Sequence, residues 1–279
     1  MTDRRTLLHG PRPASLDGGP GYLQLPKEMA VFSPPALPDD PELRQAGKAW
    51  PALLSSALAA YRIGMPSPRF DLDETAATER RFLDDLLGRG EVSAVVLGEP
   101  ELRIQESVFP GLWRIQRISA DGRVVSDALE VADAPEVLIT RARQASAPMD
   151  MPLRDGITSD VVNAPHILAE LIARSRAFQA GAGGHMINLD LVPMSDAELG
   201  WLVQTLGEGP VVILSSGYGA CRIRSTRLAA TWWVQYFNSS DMLILNSIEV
   251  IGIPAVACAA DDDIAESAQR LHALHTLDL

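Results

Sequence analysis

The residues able to do chemistry are few and scattered. His272 and His275 stand at i and i+3 near the C-terminus. On a helix they share a face and could hold a metal if a third ligand came from elsewhere; a solvated helix end is the simpler reading. His9, His166 and His185 are isolated. Cys221 and Cys258 have no ligand spacing and are too few for a disulfide framework or a four-cysteine zinc site. Both read as packed thiols, Cys258 inside the apolar run 253–260. Asp261, Asp262 and Asp263 suit the first turn of a helix, where carboxylates complement the macrodipole. A divalent-ion site would need further convergent oxygens. The glycine cluster 180–184 is not followed by a Lys-Ser/Thr pair and reads as a helix-ending turn rather than a phosphate loop. Ser216-Gly217-Tyr218-Gly219 is not a nucleophile elbow. It reads as a hairpin turn that exposes Tyr218. No local signature of Ser/His/Asp or Cys/His catalysis is present, and the chain is read as a non-enzyme with no cofactor and no metal ligands, with an enzyme whose site assembles only in space as a third reading.

The densest chemical feature is aromatic. Trp232, Trp233, Tyr236 and Phe237 fall within six residues. As a strand, this segment puts Trp232, Val234 and Tyr236 on one face and Trp233 and Phe237 on the other. A central strand covered on both sides would account for it. An exposed recognition patch would too, because aromatic side chains serve as interface anchors. We take Gly217, Tyr218, Gly219, Trp233 and Tyr236 as the candidate binding residues.

These residues sit in the second copy of an internal repeat. Shifted by 119 residues, positions 82–137 align without a gap on 201–256. Gly88 falls on Gly207, Gly90 on Gly209, Trp113 on Trp232, Glu130 on Glu249 and Pro135 on Pro254, among 14 identities in 56 positions. Upstream, Leu72-Asp73 falls on Leu189-Asp190 at a shift of 117. The copies diverge where Arg114 and Arg117 of the first stand opposite Trp233 and Tyr236 of the second. A duplicated scaffold with one specialised face would look like this.

Each copy reads as helix, short strand, helix and then four strands. The spacing predicts a helix over 46–62, a strand over 69–72, and a helix from an Asp73 cap to Leu87. Strands follow at 92–97, 102–109, 113–118 and 124–131, and Pro135 opens a further helix. In the second copy Asn163 caps a helix over 164–178 and 186–191 is a strand. Ser195 with Glu198 forms a capping box. Strands follow at 211–214, 220–226, 231–237 and 243–251, and Pro254 starts a closing helix. Helices grouped before a run of strands indicate α+β: two tandem α-β-α-ββββ units with antiparallel sheets. The expected divisions are an irregular, partly disordered leader over 1–45, a first repeat over 46–150 and a second over 151–279. The chain of 279 residues is 47% hydrophobic, enough for a sizeable core. Its net charge of −12 makes it a poor partner for nucleic acid. No apolar run is long enough to span a membrane. The Arg4-Arg5 start lacks the apolar stretch of an export signal, so a cytoplasmic location is expected.

At this point the sequence resembles the HupH/HyaF family of hydrogenase expression and formation proteins. The resemblance is carried by 86–93, 104–114, Ile187-Asn188-Leu189 with Pro193-Met194-Ser195, Gly217-Tyr218-Gly219, 253–256 and 265–271. It spans most of the chain from about residue 50 to 271 and leaves out the leader. The resemblance implies an accessory or chaperone role in maturation of a nickel–iron uptake hydrogenase. The implied client is the iron–sulfur small subunit or its precursor, with other maturation proteins as further partners. It carries over no catalytic residue. The alternative is a metal or iron–sulfur delivery protein using His272, His275, Cys221 or Cys258.

Overall fold

The computed structural model describes residues 38–147, 149–151, 161–217 and 219–276. Most of the expected leader, and Tyr218, lie outside the described residues. The first half comprises α1 (Pro41–Gly47), α2 (Trp50–Ala60), β1 (Arg69–Asp71), α3 (Ala77–Leu87), β2 (Val92–Val96), β3 (Glu101–Glu106), β4 (Leu112–Ile118), β5 (Val124–Val131) and α4 (Glu136–Gln144). The second comprises α5 (Ala164–Ala177), β6 (His185–Asn188), α6 (Asp196–Leu206), β7 (Glu208–Ser215), β8 (Ala220–Thr226), β9 (Thr231–Phe237), β10 (Leu243–Val250) and α7 (Asp261–Thr276). The fold is mixed α and β with an antiparallel sheet, as expected.

Several boundaries differ from the expectation, each for a local reason. The helix expected over 46–62 is two helices. Pro51 has no N–H to give to the preceding turn, so α1 and α2 are separate. Helix α1 starts inside the stretch expected to be irregular, with Asp40 capping the Glu42 N–H at 2.9 Å. Asp73 does not cap α3; its Oδ1 accepts the Asp127 N–H of β5 at 2.7 Å. The Asn163 side chain donates to the Pro193 carbonyl instead of capping α5. The α5 entrance is closed by Glu198, whose Oε1 accepts from the N–H groups of Val162 and Asn163 at 2.9 and 2.5 Å. Glu198 also completes the expected capping box with Ser195. The strand expected over 186–191 stops at Asn188 and turns through one 3-10 turn, Leu189–Leu191. Pro254 opens only a 3-10 turn, Ala255–Ala257, before α7 begins.

The two expected sheets are one. Ten strands run in the order β1-β5-β4-β3-β2-β7-β8-β9-β10-β6, every neighbouring pair antiparallel. Each half contributes five strands in the same order, and the halves join edge to edge through β2 and β7. At the joint Ala94 pairs with Ile213, its own repeat equivalent, flanked by Val92–Ser215 and Val96–Val211. A pseudo-twofold axis therefore passes through the Ala94–Ile213 pair. The symmetry reaches single hydrogen bonds. Trp113 Nε1 donates to the Ala132 carbonyl and Trp232 Nε1 to that of Ile251, at 2.9 and 3.0 Å. The Asp73–Asp127 bond is matched by Asp190 accepting the Asn246 N–H at 2.9 Å. Both tryptophans are fully buried.

After its four strands, each half sends its chain across to the other. Helix α4 packs on β7, and the Ala147 N–H donates to the Arg227 carbonyl. Helix α7 packs on α2, with Ser55 Oγ donating to the Ala268 carbonyl at 2.9 Å. One core therefore joins residues of both halves, including Leu54, Trp113, Ile213, Trp232 and Leu271. A second core lies under α5 and α6 and holds Leu168, Leu171, Leu202 and Ile248.

Candidate binding surface

Strand register brings the expected residues together only in part. On the sheet face that carries α6, Arg224 lies opposite Trp233 and Trp233 opposite Ile248. Side chains alternate, so Tyr236 points to the other face with Trp232 and Val234. The aromatic residues grouped as one candidate surface therefore divide between two faces, and a partner lying on either face cannot touch both Trp233 and Tyr236. Trp233 is half-buried against the second core. Its Nε1 donates to Asn246 Oδ1 at 2.6 Å. Tyr236 is half-buried beside Cys221, and burial, with Cys221 and Glu249 nearby, raises its hydroxyl to about 12.

Comparison of the halves explains what Trp233 replaces. Its equivalent, Arg114, donates to both oxygens of Asp127 and also pairs with Asp84 on α3. In the second half Asp127 becomes Asn246 and Asp84 becomes Val203. A charged triad has been exchanged as a unit for an indole, an amide and a valine. The exchange leaves a cleft of about 30 Å³ between α6 and the sheet, lined by Val203, Glu208, Arg224, Trp233 and Gln235 among others. That is room for one or two waters and far below a small-molecule site. Arg224 Nη1 pairs with Glu208 Oε1 at its rim, at 2.9 Å. Sequence reasoning singled out Trp233 but not Val203, Asn246 or Arg224. The signal was present: the same 119-residue shift sets Asp84 against Val203 and Asp127 against Asn246.

Gly217 and Gly219 lie between β7 and the antiparallel β8 and are both exposed. They sit at the joint of the halves. The Ser216 N–H donates to the Glu91 carbonyl at 3.1 Å. A Cβ on Gly217 would lie 1.9 Å from Glu91 Oε2, so a side chain there would require the Glu91 carboxylate to move.

The groups considered for metal chemistry do not converge. His272 and His275 are exposed on α7. Among the described residues no group of three or more His, Cys, Asp or Glu side chains is placed to hold an ion. Burial pushes both thiols up to about 12, which favours the protonated form over the thiolate that ligates metals. The 180–184 cluster is the turn between α5 and β6, and Asp261–Asp263 form the first turn of α7. The buried carboxyl of Glu106 was not anticipated. It is raised to about 7, mainly by burial, although it accepts from the N–H groups of Gly111 and Val92. Among the described residues no helix is long and apolar enough to cross a membrane.

Comparison with known proteins places this arrangement in context. Residues 54–149 and 161–277 each match the family described as HupH hydrogenase expression protein, C-terminal conserved region. The chain is 44% identical over 255 residues to the hydrogenase expression/formation protein HupQ of Azotobacter chroococcum mcd 1, covering 90% of this chain and 89% of that protein. It is 40% identical to HoxQ of Cupriavidus necator, a protein of the same description, over 95% and 94% of the two chains. It is 36% identical to the hydrogenase-1 operon protein HyaF of Escherichia coli K12, over 72% and 70%. A solved structure, hydrogenase expression protein HupH from Thiobacillus denitrificans, matches at a TM-score of 0.38 and 26% identity over 42% of this chain and 97% of that one.

Proposed function

This chain belongs to the HupH family of hydrogenase expression proteins, and on that premise we propose that it is a non-enzymatic accessory protein in the maturation of a nickel–iron uptake hydrogenase. Its client is the iron–sulfur small subunit or its precursor, met in the cytoplasm, with other maturation proteins as further partners. The observation that carries this reading is the family match on both halves, backed by relatives described as hydrogenase expression/formation proteins. A binding role also agrees with the site chemistry, since the cleft at Trp233 has room only for water.

The client surface is assigned to the second half, at the Gly217–Gly219 hairpin and the Trp233 face of the sheet, which leaves out Tyr236 on the opposite face. The test measures melting temperature and capture of the purified small subunit for Tyr218→Ala and Trp233→Ala together. Tyr218→Ala keeps its melting point and loses capture by about 2 kcal/mol if it is an interface anchor. If Tyr218→Ala leaves capture intact and Trp233→Ala only lowers the melting point, both residues belong to the scaffold and the assignment fails.

A further inference from the structure

The outer edge of the sheet in the second half differs from its counterpart in a coordinated way. In the first half three exposed cations stand there: Arg69 on β1, Arg117 on β4 and Arg123 just before β5. Their repeat equivalents are Met186, Tyr236 and Met242. The strand residues between them change from Val124-Val125-Ser126 to Leu243-Ile244-Leu245. Four of the six positions therefore move from charged or polar to large apolar or aromatic side chains, and Val124 and Val125, already exposed in the first half, become the larger Leu243 and Ile244. Met186, Met242 and Ile244 are 57%, 62% and 61% exposed.

Part of the backbone at this edge also lacks a strand neighbour, although the N–H groups of Met242 and Asn246 are taken by Asn238 and Asp190. Strand β6 pairs only with residues 247–250 of β10, and beyond it the chain turns away so that Asp190 meets the Asn246 N–H. Among the described residues no strand pairs with the outer side of 243–245. Each half has a β-bulge at the same place, since β4 skips Val125 and β9 skips Ile244. Bulges and edge cations both discourage edge-to-edge pairing. The second half keeps the bulge and loses the cations.

Charge selects the occupant. Arg69 stands 3.8 Å from Glu130 in the first half, whereas the equivalent Glu249 faces Met186 across the strand pair. Asp190 and Asp241 flank the same edge, and the sequence has no lysine or arginine between Arg176 and Arg222 or between Arg227 and Arg270. We infer that the β10 edge is a docking site for a short extended segment of a partner chain, apolar at the positions that meet Met242, Ile244 and Leu245 and carrying a basic residue toward Glu249 and Asp241. The segment adds to the sheet as an eleventh strand through main-chain hydrogen bonds. The inference goes beyond the accessory role and does not depend on which hydrogenase component supplies the segment.

The test uses the full chain and two fluorescein-labelled octapeptides of alternating valine and threonine, one with two lysines in place of threonines and one with two glutamates. By fluorescence anisotropy the lysine peptide binds about tenfold more tightly than the glutamate peptide. The double substitution Met186→Arg with Met242→Arg restores the first-half charges and weakens the lysine peptide by about tenfold at an unchanged melting point. Glu249→Gln with Asp241→Asn removes the lysine preference, and Val125→Lys at the other edge changes nothing. Failure of both peptides to bind, equal binding of the two, or insensitivity to the double substitution overturns the inference. So does a chain that dimerises by sedimentation and is dispersed by Ile244→Lys, because the edge then pairs with a second copy.

Discussion

At the scale of single residues, the buried carboxyl of Glu106 makes the most definite statement. Its repeat equivalent is Ser225, whose Oγ accepts the Val211 N–H at 3.0 Å, as Glu106 accepts that of Val92. The first half thus performs with a carboxyl what the second performs with a neutral hydroxyl. No cation is paired with Glu106 among the described residues, and Glu91 and Asp263 add like charge. A carboxyl raised from 4.5 to about 7 by folding stays protonated in the native state up to about pH 7. Its stabilising effect is therefore complete below pH 4.5 and is lost as pH rises through 7, a change of about 3 kcal/mol at most. Glu106→Gln should melt higher than the parent at pH 8, and its melting temperature should fall less between pH 5 and pH 8. Parallel curves for the two proteins would show that Glu106 ionises normally. Glu198 works in the opposite sense. The N–H groups of Ser195 and then Asn163 hold it down to about 2, so its contribution is present above pH 4.5 and lost as pH falls toward 2. Glu198→Gln should therefore lower the melting temperature at pH 7 and lessen its fall between pH 5 and pH 3. A parent and variant that lose stability in parallel over that range would contradict this.

At the scale of elements, the exchange of Arg114, Asp84 and Asp127 for Trp233, Val203 and Asn246 predicts strong coupling. Trp233→Arg alone puts a guanidinium under α6 without its carboxylates and should cost roughly 3 kcal/mol. Adding Val203→Asp and Asn246→Asp should recover more than half of that in denaturant melts. A triple variant no more stable than the single one would mean that the triads are not interchangeable. Much at this scale was legible in the sequence. The 119-residue register reproduces α3 on α6, β4 on β9 and β5 on β10 residue for residue, because glycines and tryptophans at turns and in the core tolerate few substitutes. Caps were less legible. Asp73 and Asn163 are good local caps, but each has a long-range partner, Asp127 and Pro193, that outcompetes the local one. The division of Trp233 and Tyr236 between two faces follows from strand alternation alone. Their grouping by aromatic content overlooked it.

At the scale of the molecule, the sequence announced two copies but not their interlocking. Periodicity reports which face of an element is apolar and says nothing of which half covers it. The crossing of α4 onto β7 and of α7 onto α2 makes each half part of the other's core. Unfolding should consequently be a single transition. Leu138→Ala on α4, where the side chain is fully buried, should cost about 2–5 kcal/mol and lower hydrogen-exchange protection in both halves together. Two resolved transitions, or loss of protection confined to one half, would contradict this. The joined sheet also leaves the second half with an outer edge that has lost its cations and a rebuilt α6 face, the two surfaces on which recognition is placed. The most direct measurement for the account as a whole is purification of the tagged chain from cells that make the hydrogenase small subunit and from cells that lack it. The account predicts a stoichiometric complex of the chain with the small subunit or its precursor in the first case and the chain without it in the second. Recovery of the chain without the small subunit from both, with hydrogenase assembly proceeding normally, would contradict it.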